Sequence, residues 1–344
     1  MSLLASPPAI PLIEVGALFG GASTTRAAVD AALLSAARGV GFVTITGLPV
    51  FVPHGPDVRA ALLRIFALPA PAQRALWRQK FEAGNPNVYR GWFPVQPGNL
   101  TSKEGIDLGA DVAYGTEVCA ADDPLREPTP LPAAGELPGW HEAIAGYYIG
   151  MEQLCQALLR SIARGLALEE HYFDAAFARG LSTLRLLHYP LRADLELAAG
   201  NDASLWQLHD GRRCYVMGAP HVDSGFLTVL AQDGVGGLQA RHRDGSWLDV
   251  PSTEGTLAVN FGRVLERWSG GRIRATEHRV LGGDRERYSI PFFYEACADA
   301  EIRPLPLDEP QSFVPFLFGD YLWSTITQFV EFRGMERVRA PRRP

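Results

Sequence analysis

The spacing of apolar positions changes character about midway along the chain. Before residue 180 they recur every three or four residues; after it they fall into short runs separated by turn residues. Thr24 to Gly39 puts Val29, Leu33, Leu34 and Ala37 on one face, with Thr24 or Thr25 to cap the start and Gly39 to stop it, which predicts a helix. Phe42 to Thr46 is β-branched and aromatic and predicts a strand ended by Gly47. Pro56 to Leu68 and Ala72 to Phe81 predict two helices with Leu68-Pro69-Ala70-Pro71 as the breaker between them. Trp140 to Arg164 carries the clearest helical stripe: Ile144, Tyr148, Met151, Cys155, Leu158 and Ile162. Gly84 to Pro138, rich in Gly, Pro, Asn and Asp, reads as a long irregular region with short strands, the kind of segment that often lines a site.

After Gly180 the runs Leu184 to Tyr189, Phe226 to Leu230, Leu238 to Ala240, Trp247 to Val250, Thr256 to Asn260, Ala275 to Val280 and Tyr288 to Phe293 all read as strands. Many short strands with turns between them predict a sandwich or barrel of jelly-roll type. The expected class is therefore α+β. A helical and irregular region, 1–180, supports a jelly-roll core, 181–333, and an Arg- and Pro-rich tail, 334–344, is expected to fray.

Composition narrows the partners. With 47% hydrophobic residues and a formal net charge of −6, the chain reads as a globular protein without the basic stripe that nucleic acid requires. Its 4 cysteines are scattered with no CxxC pair, so neither a disulfide framework nor a zinc-thiolate site is expected. Met1 to Val15 lacks a basic segment ahead of its apolar residues and is proline-rich, a poor signal peptide. No apolar run approaches the ~20 residues that span a bilayer. The expectation is a cytoplasmic protein with no membrane or nucleic-acid partner.

Two of the histidines open a His-x-Asp triplet. In His221-Val222-Asp223 the alternation of a strand puts both side chains on one face, where they could chelate one ion. His242-Arg243-Asp244-Gly245 reads instead as a hairpin turn in which Asp-Gly supplies the turn chemistry. A catalytic metal needs a third donor, and His278 is the best placed; two histidines and a carboxylate leave three positions open on Fe(II). By itself His278 reads more readily as an ordinary strand histidine hydrogen-bonded in the core. Further on, Arg287 and Ser289 share a strand face before the apolar Ile290-Pro291-Phe292-Phe293, and a guanidinium beside a hydroxyl suits a carboxylate.

Several blocks follow one another in a telling order: His221 to Asp233, Val235-Gly236-Gly237-Leu238-Gln239, Val259-Asn260-Phe261-Gly262, the Trp268 to Gly271 turn, Ala275 to Val280, and Arg287-x-Ser289. Together with Gly41 to Gly47 and Leu184 to Pro190, this set resembles the iron- and 2-oxoglutarate-dependent oxygenases of the isopenicillin N synthase-like family, over roughly residues 8 to 333. The resemblance implies that His221, Asp223 and His278 bind Fe(II). It implies that Arg287 and Ser289 hold the distal carboxylate of 2-oxoglutarate, with Tyr189 as a further contact, and that O2 is the co-substrate. The implied activity is oxidation of a small molecule by hydroxylation, desaturation or ring closure, with release of succinate and CO2. Two variants go with it: an oxidase that draws every electron from its substrate, and an ethylene-forming type that fragments 2-oxoglutarate. A non-catalytic binding module on the same jelly roll is the competing class, and an intact triad argues against it.

The chain departs from the family in places. Arg263 stands where relatives commonly have Asp, and Leu187 where some have Asn, with Arg185 able to compensate on the same strand. For the substrate the candidates are Arg90, Trp92 and Phe93 in a stretch that resembles one leading to the family's active-site mouth, and Phe293, Tyr321 and Trp323 as aromatics. His54, His141, His171 and His209 show no ligand spacing and are assigned structural or surface roles.

Overall fold

Strand-forming segments of the computed structural model, which describes residues 9–96, 101–133, 135–191, 205–308 and 312–342, make two facing sheets. In chain order the strands are β1 (Leu12–Glu14), β2 (Phe42–Thr46), β3 (Gly91–Phe93), β4 (Glu104–Leu108), β5 (Thr183–Tyr189), β6 (Trp206–His209), β7 (Arg212–His221), β8 (Leu227–Gln232), β9 (Leu238–Arg241), β10 (Trp247–Asp249), β11 (Leu257–Phe261), β12 (His278–Gly282) and β13 (Arg287–Tyr294). The larger sheet runs β1-β2-β11-β8-β13-β5-β4-β3 and the smaller β10-β9-β12-β7-β6. The jelly roll is therefore present. Its larger sheet takes strands from both sides of residue 180.

Period-two alternation sorts each strand into two environments. On β13, Ile290 and Phe292 face outward, where Phe292 meets Tyr148 at 5.0 Å between ring centroids. Tyr148 belongs to the 26-residue helix Trp140–Gly165, whose buried stripe is the one the spacing predicts. Truncating Phe292, which is 0% exposed, to alanine would cost about 3–5 kcal/mol. The inward residues are fewer and mixed: Phe42, Leu187, Tyr189 and Ala258 of the larger sheet face Met217, Leu238, Ala240 and Val280 of the smaller. Between these apolar residues lie the polar groups of the site.

Some local expectations need correction. The helix Thr24–Arg38 is capped by Ser23, whose hydroxyl accepts the Arg26 N–H at 3.1 Å, one residue ahead of the threonines. The predicted breaker at Pro69 and Pro71 is a helix start: Ala70–Ala75 is helical with proline in its first turn. That helix stops at Ala75 because Arg78 N–H turns aside to the Trp92 carbonyl at 2.9 Å. Strands β6 and β7 are additions, joined by a two-residue turn in which Asp210 and Gly211 have φ of 47° and 73°. The tail is not frayed as far as Arg342. Arg339 is buried, donating from Nε to Asp123 (2.9 Å) and from Nη1 to Asp320 (2.7 Å), and Arg342 bonds Asp299 and Asp320. Among the described residues no helix is long and apolar enough to cross a membrane.

Candidate active site

His221 ends β7 and is the register partner of His278 at the start of β12, so the sheet brings the two rings together at 4.3 Å between centroids. Each Nδ1 lies against a backbone carbonyl, that of Ala219 (2.8 Å) for His221 and that of Thr276 (3.1 Å) for His278. A carbonyl only accepts, so both Nδ1 atoms carry the proton and both Nε2 atoms present a lone pair. Asp223 follows just past the strand end. Its Oδ2 accepts from Thr228 Oγ1 (2.6 Å) and Asn260 Nδ2 (2.7 Å), leaving Oδ1 at 3.8 Å from His221 Nε2 and 3.6 Å from His278 Nε2. The ligand atoms of all three lie within 4.8 Å of one another. Burial, reinforced by His278, pushes the His221 imidazole down to about 4, so it is neutral at pH 7. Burial alone would raise the Asp223 carboxyl, but His278, His221 and the two hydrogen bonds prevail and hold it below its usual range. Two imidazoles whose Nδ1 atoms face carbonyls and a carboxylate form a donor set suited to Fe(II).

On β13, Arg287 and Ser289 both face inward and both are 1% exposed. Arg287 Nε donates to the Gly236 carbonyl at 2.9 Å, but Nη1, Nη2 and Ser289 Oγ have no hydrogen-bond partner among the described residues. Tyr189, the register partner of Arg287 on β5, lies under the guanidinium at 4.9 Å. Leaving such groups buried and unpaired is costly, so the arrangement fits the distal carboxylate of 2-oxoglutarate.

A cavity of about 380 Å³ opens beside the triad, walled by His221, Asp223, Tyr89, Arg185, Phe293 and Glu295, with residues 328–333 on its far side. Phe293, a substrate candidate from the sequence, lines this cavity. Arg90 and Trp92 are not among its lining. Arg90 is buried, donating to Thr183 Oγ1 (2.5 Å) and the Leu181 carbonyl (3.1 Å), and borders a separate cavity of about 660 Å³ that contains none of the triad. Trp92 is fully buried in the outer core against Phe66. Arg185 does not stand in for a 2-oxoglutarate contact at Leu187: its Nε and Nη2 are bound to Asp107 at 2.5 and 2.8 Å. Arg263 supplies Asp223 with a backbone N–H only (2.9 Å to its carbonyl), and Asn260 and Thr228 carry the carboxylate instead.

Three residues escape the sequence reading in this role: Thr228, Asn260 and Glu295. Asn260 and Thr228 are directly paired on β11 and β8, a relation visible only once the strands are aligned. Glu295 has the same parity as Arg287, Ser289 and Phe293, and that was the available signal.

Residues 182–296 match the model of the family described as the 2OG-Fe(II) oxygenase superfamily. The chain is 29% identical over 332 residues to isopenicillin N synthase of Streptomyces clavuligerus, covering 94% of this chain and 96% of that one. It is 30% identical over 250 residues to the 2-oxoglutarate-dependent dioxygenase frbA of Dothideomycetidae sp., covering 67% and 70%. Among solved structures, a full-length Neurospora crassa protein in complex with alpha-KG superposes with a TM-score of 0.73 at 25% identity, covering 91% of this chain and 94% of that one. A further structure of the same Neurospora crassa protein holds alpha-KG and thymine.

Proposed function

Because the chain belongs to the 2OG-Fe(II) oxygenase superfamily and is an iron- and 2-oxoglutarate-dependent dioxygenase, we propose that His221, Asp223 and His278 hold its Fe(II), that Arg287 and Ser289 with Tyr189 hold the distal carboxylate of 2-oxoglutarate, and that a small molecule is oxidised in the adjoining cavity. One observation carries this reading: two bare Nε2 atoms and one free carboxylate oxygen converge within 4.8 Å in a core that also holds a buried guanidinium with two unpartnered nitrogens.

When bound, Fe(II) and 2-oxoglutarate supply the oxidising chemistry, in which O2 is consumed, the keto acid leaves as succinate and CO2, and the substrate is oxidised. The protein supplies position. The Ala219 and Thr276 carbonyls fix the two imidazoles by holding their Nδ1 protons. Thr228 and Asn260 restrain one carboxylate oxygen so that the other is presented to the metal. Arg287 and Ser289 offer a fork and a hydroxyl that fix the keto acid's direction of approach. Phe293 and Tyr89 give the cavity apolar aromatic wall on the substrate side.

A small-molecule substrate is supported by the cavity, at about 380 Å³ within the usual range for such ligands, and by the thymine bound in the Neurospora crassa protein. We take residues 181–333 as the catalytic core, with β1 to β4 from the preceding region completing its larger sheet.

The test is anaerobic visible absorption of the Fe(II)-loaded protein during stepwise addition of 2-oxoglutarate. Chelation of the keto acid should give a weak charge-transfer band in wild type, and Arg287→Ala should need about 10–100 times more 2-oxoglutarate to reach it. An unchanged requirement in Arg287→Ala overturns the Arg287 assignment; a full band in Asp223→Ala overturns the triad.

A further inference from the structure

The β13 strand that carries Arg287 and Ser289 continues with the same parity through Phe293 to Glu295, so one row of side chains leads from the proposed 2-oxoglutarate pocket into the substrate cavity. Glu295 is 6% exposed and lines that cavity together with Asp223 and His221. Its Oε2 has no hydrogen-bond partner among the described residues. No lysine or arginine forms an ion pair with it among the described residues. The guanidinium that acts on it most, Arg90, is committed to Thr183 Oγ1 and to the carbonyls of Leu108 and Leu181.

The chain has made room for this carboxyl. A Cβ on Gly225 would come within 2.0 Å of Glu295 Oε1 and 2.3 Å of Oε2, so only glycine at 225 lets the acid lie over the backbone of the loop that follows Asp223. The Glu295 backbone N–H is tied to Ser182 Oγ at 3.1 Å, which fixes where the side chain starts. A buried acid that is both accommodated and unpartnered, on the wall of a substrate cavity, is placed to meet a ligand.

Its chemistry selects the ligand. An isolated ionised carboxylate in such a place would be expensive, and burial pushes the Glu295 carboxyl well above its usual range. A neutral acid offers an O–H donor and a carbonyl acceptor side by side. The group that answers both at once is an amide edge with N–H and C=O on the same side, as in a lactam.

Building on the active-site reading above, we propose that Glu295 is the substrate-selecting residue of the cavity and that the substrate is a neutral cyclic amide, held by an N–H donated to Glu295 and a carbonyl that accepts from it. Phe293 on the same strand, and Tyr89 across the cavity, provide flat apolar surface for the ring.

The experiment is anaerobic calorimetry on the full chain loaded with Fe(II) and 2-oxoglutarate. The probes are isoindolinone, N-methylisoindolinone, the lactone phthalide and the amine isoindoline. Isoindolinone should bind at least about tenfold more tightly than each of the other three, a difference of ~1.4 kcal/mol. Glu295→Gln, which keeps a donor and an acceptor, should retain isoindolinone within about threefold, whereas Glu295→Leu should lose at least about tenfold. Equal binding of the lactam and its N-methyl derivative, tightest binding of isoindoline, no binding of isoindolinone, or an unchanged Glu295→Leu each overturns the proposal. The 2-oxoglutarate affinity of every variant is measured alongside: if wild type fails to take up 2-oxoglutarate, the active-site reading has failed, whereas intact uptake with no lactam preference sinks only the role of Glu295.

Discussion

His221-Val222-Asp223 and His242-Arg243-Asp244 are the same triplet with different fates. In the second, His242 N–H bonds the Ser246 carbonyl across the β9–β10 turn. Asp244 Oδ1 takes the Ser246 N–H at 2.8 Å and hydroxyl at 2.6 Å, and Oδ2 lies 3.1 Å from His242 Nδ1. The acid is spent on its own turn. In the first triplet His221 Nδ1 is met by the Ala219 carbonyl of its own strand and one oxygen of Asp223 by Thr228 and Asn260 from neighbouring strands, so the atoms a metal does not need are the ones occupied. A third donor then arrives by strand pairing. What separates a ligand pair from a turn is the valence left over after local hydrogen bonds are counted.

The largest expected effect tests that contrast directly. Asp223→Ala should lower both stoichiometric Fe(II) binding and succinate formation by about 100-fold or more, while Asp244→Ala leaves both within about twofold. Equal losses in an anaerobic iron titration would break the comparison. Next come the groups that hold each acid. Asn260→Ala and Thr228→Val should each weaken iron binding by about 10–100-fold, and Ser246→Ala should not change it. If the Asn260 and Thr228 variants bind iron like wild type, Asp223 does not depend on them for its orientation.

A third, smaller effect is in pH. The folded His221 titrates at about 4, below the 6.5 of an unperturbed imidazole, so between these values the unfolded chain binds more protons than the folded one. Stability of the iron-free protein should therefore fall as pH drops from 6.5 to about 4 and level off below. Urea unfolding at a series of pH values measures it, and a His221→Asn protein showing the same slope would remove His221 as its source. The smallest effect belongs to the turn. The Ser246 hydroxyl and backbone N–H hold Asp244 down to about 2, so its contribution is complete above the usual 3.8 and disappears as pH falls through about 2. Asp244→Ala should shift the melting temperature at pH 7 by no more than about 2 °C. A shift several times larger would mean that the turn supports more than itself.

The order of elements was legible because alternation and turn residues are local signals, and the stripe from Ile144 to Ile162 marked the outer helix for the same reason. Strand β7 was less so. Its first two residues, Arg212-Arg213, are polar and exposed, and Gly218 and Pro220 interrupt the rest, although Asp210-Gly211 is a hairpin signal in its own right. At the site, the spacing of Arg287 and Ser289 is carried by strand parity and can be read in one dimension, whereas Asp223 lies past the end of β7 and only the His-x-Asp triplet marks it. The fate of Arg90 cannot, because whether a guanidinium faces a cavity or is consumed by the Thr183 hydroxyl and nearby carbonyls depends on chain far away in sequence. The tail misleads for a similar reason: the charge of Arg339 suggests solvent, yet Asp123 and Asp320 enclose it.

That enclosure bears on the order in which the protein is built. Helix Phe318–Ile326 and residues 328–333 form one wall of the substrate cavity, and Arg339 ties the segment beyond them to Asp123 in the irregular region. A ribosome delivers all three proposed iron ligands and Arg287 before it delivers this wall, and the Arg339 latch after it. During synthesis the oxidising centre is thus specified ahead of the chamber that restricts what reaches it. A chain released before residue 318 would carry every proposed iron ligand and lack one side of the cavity beside them.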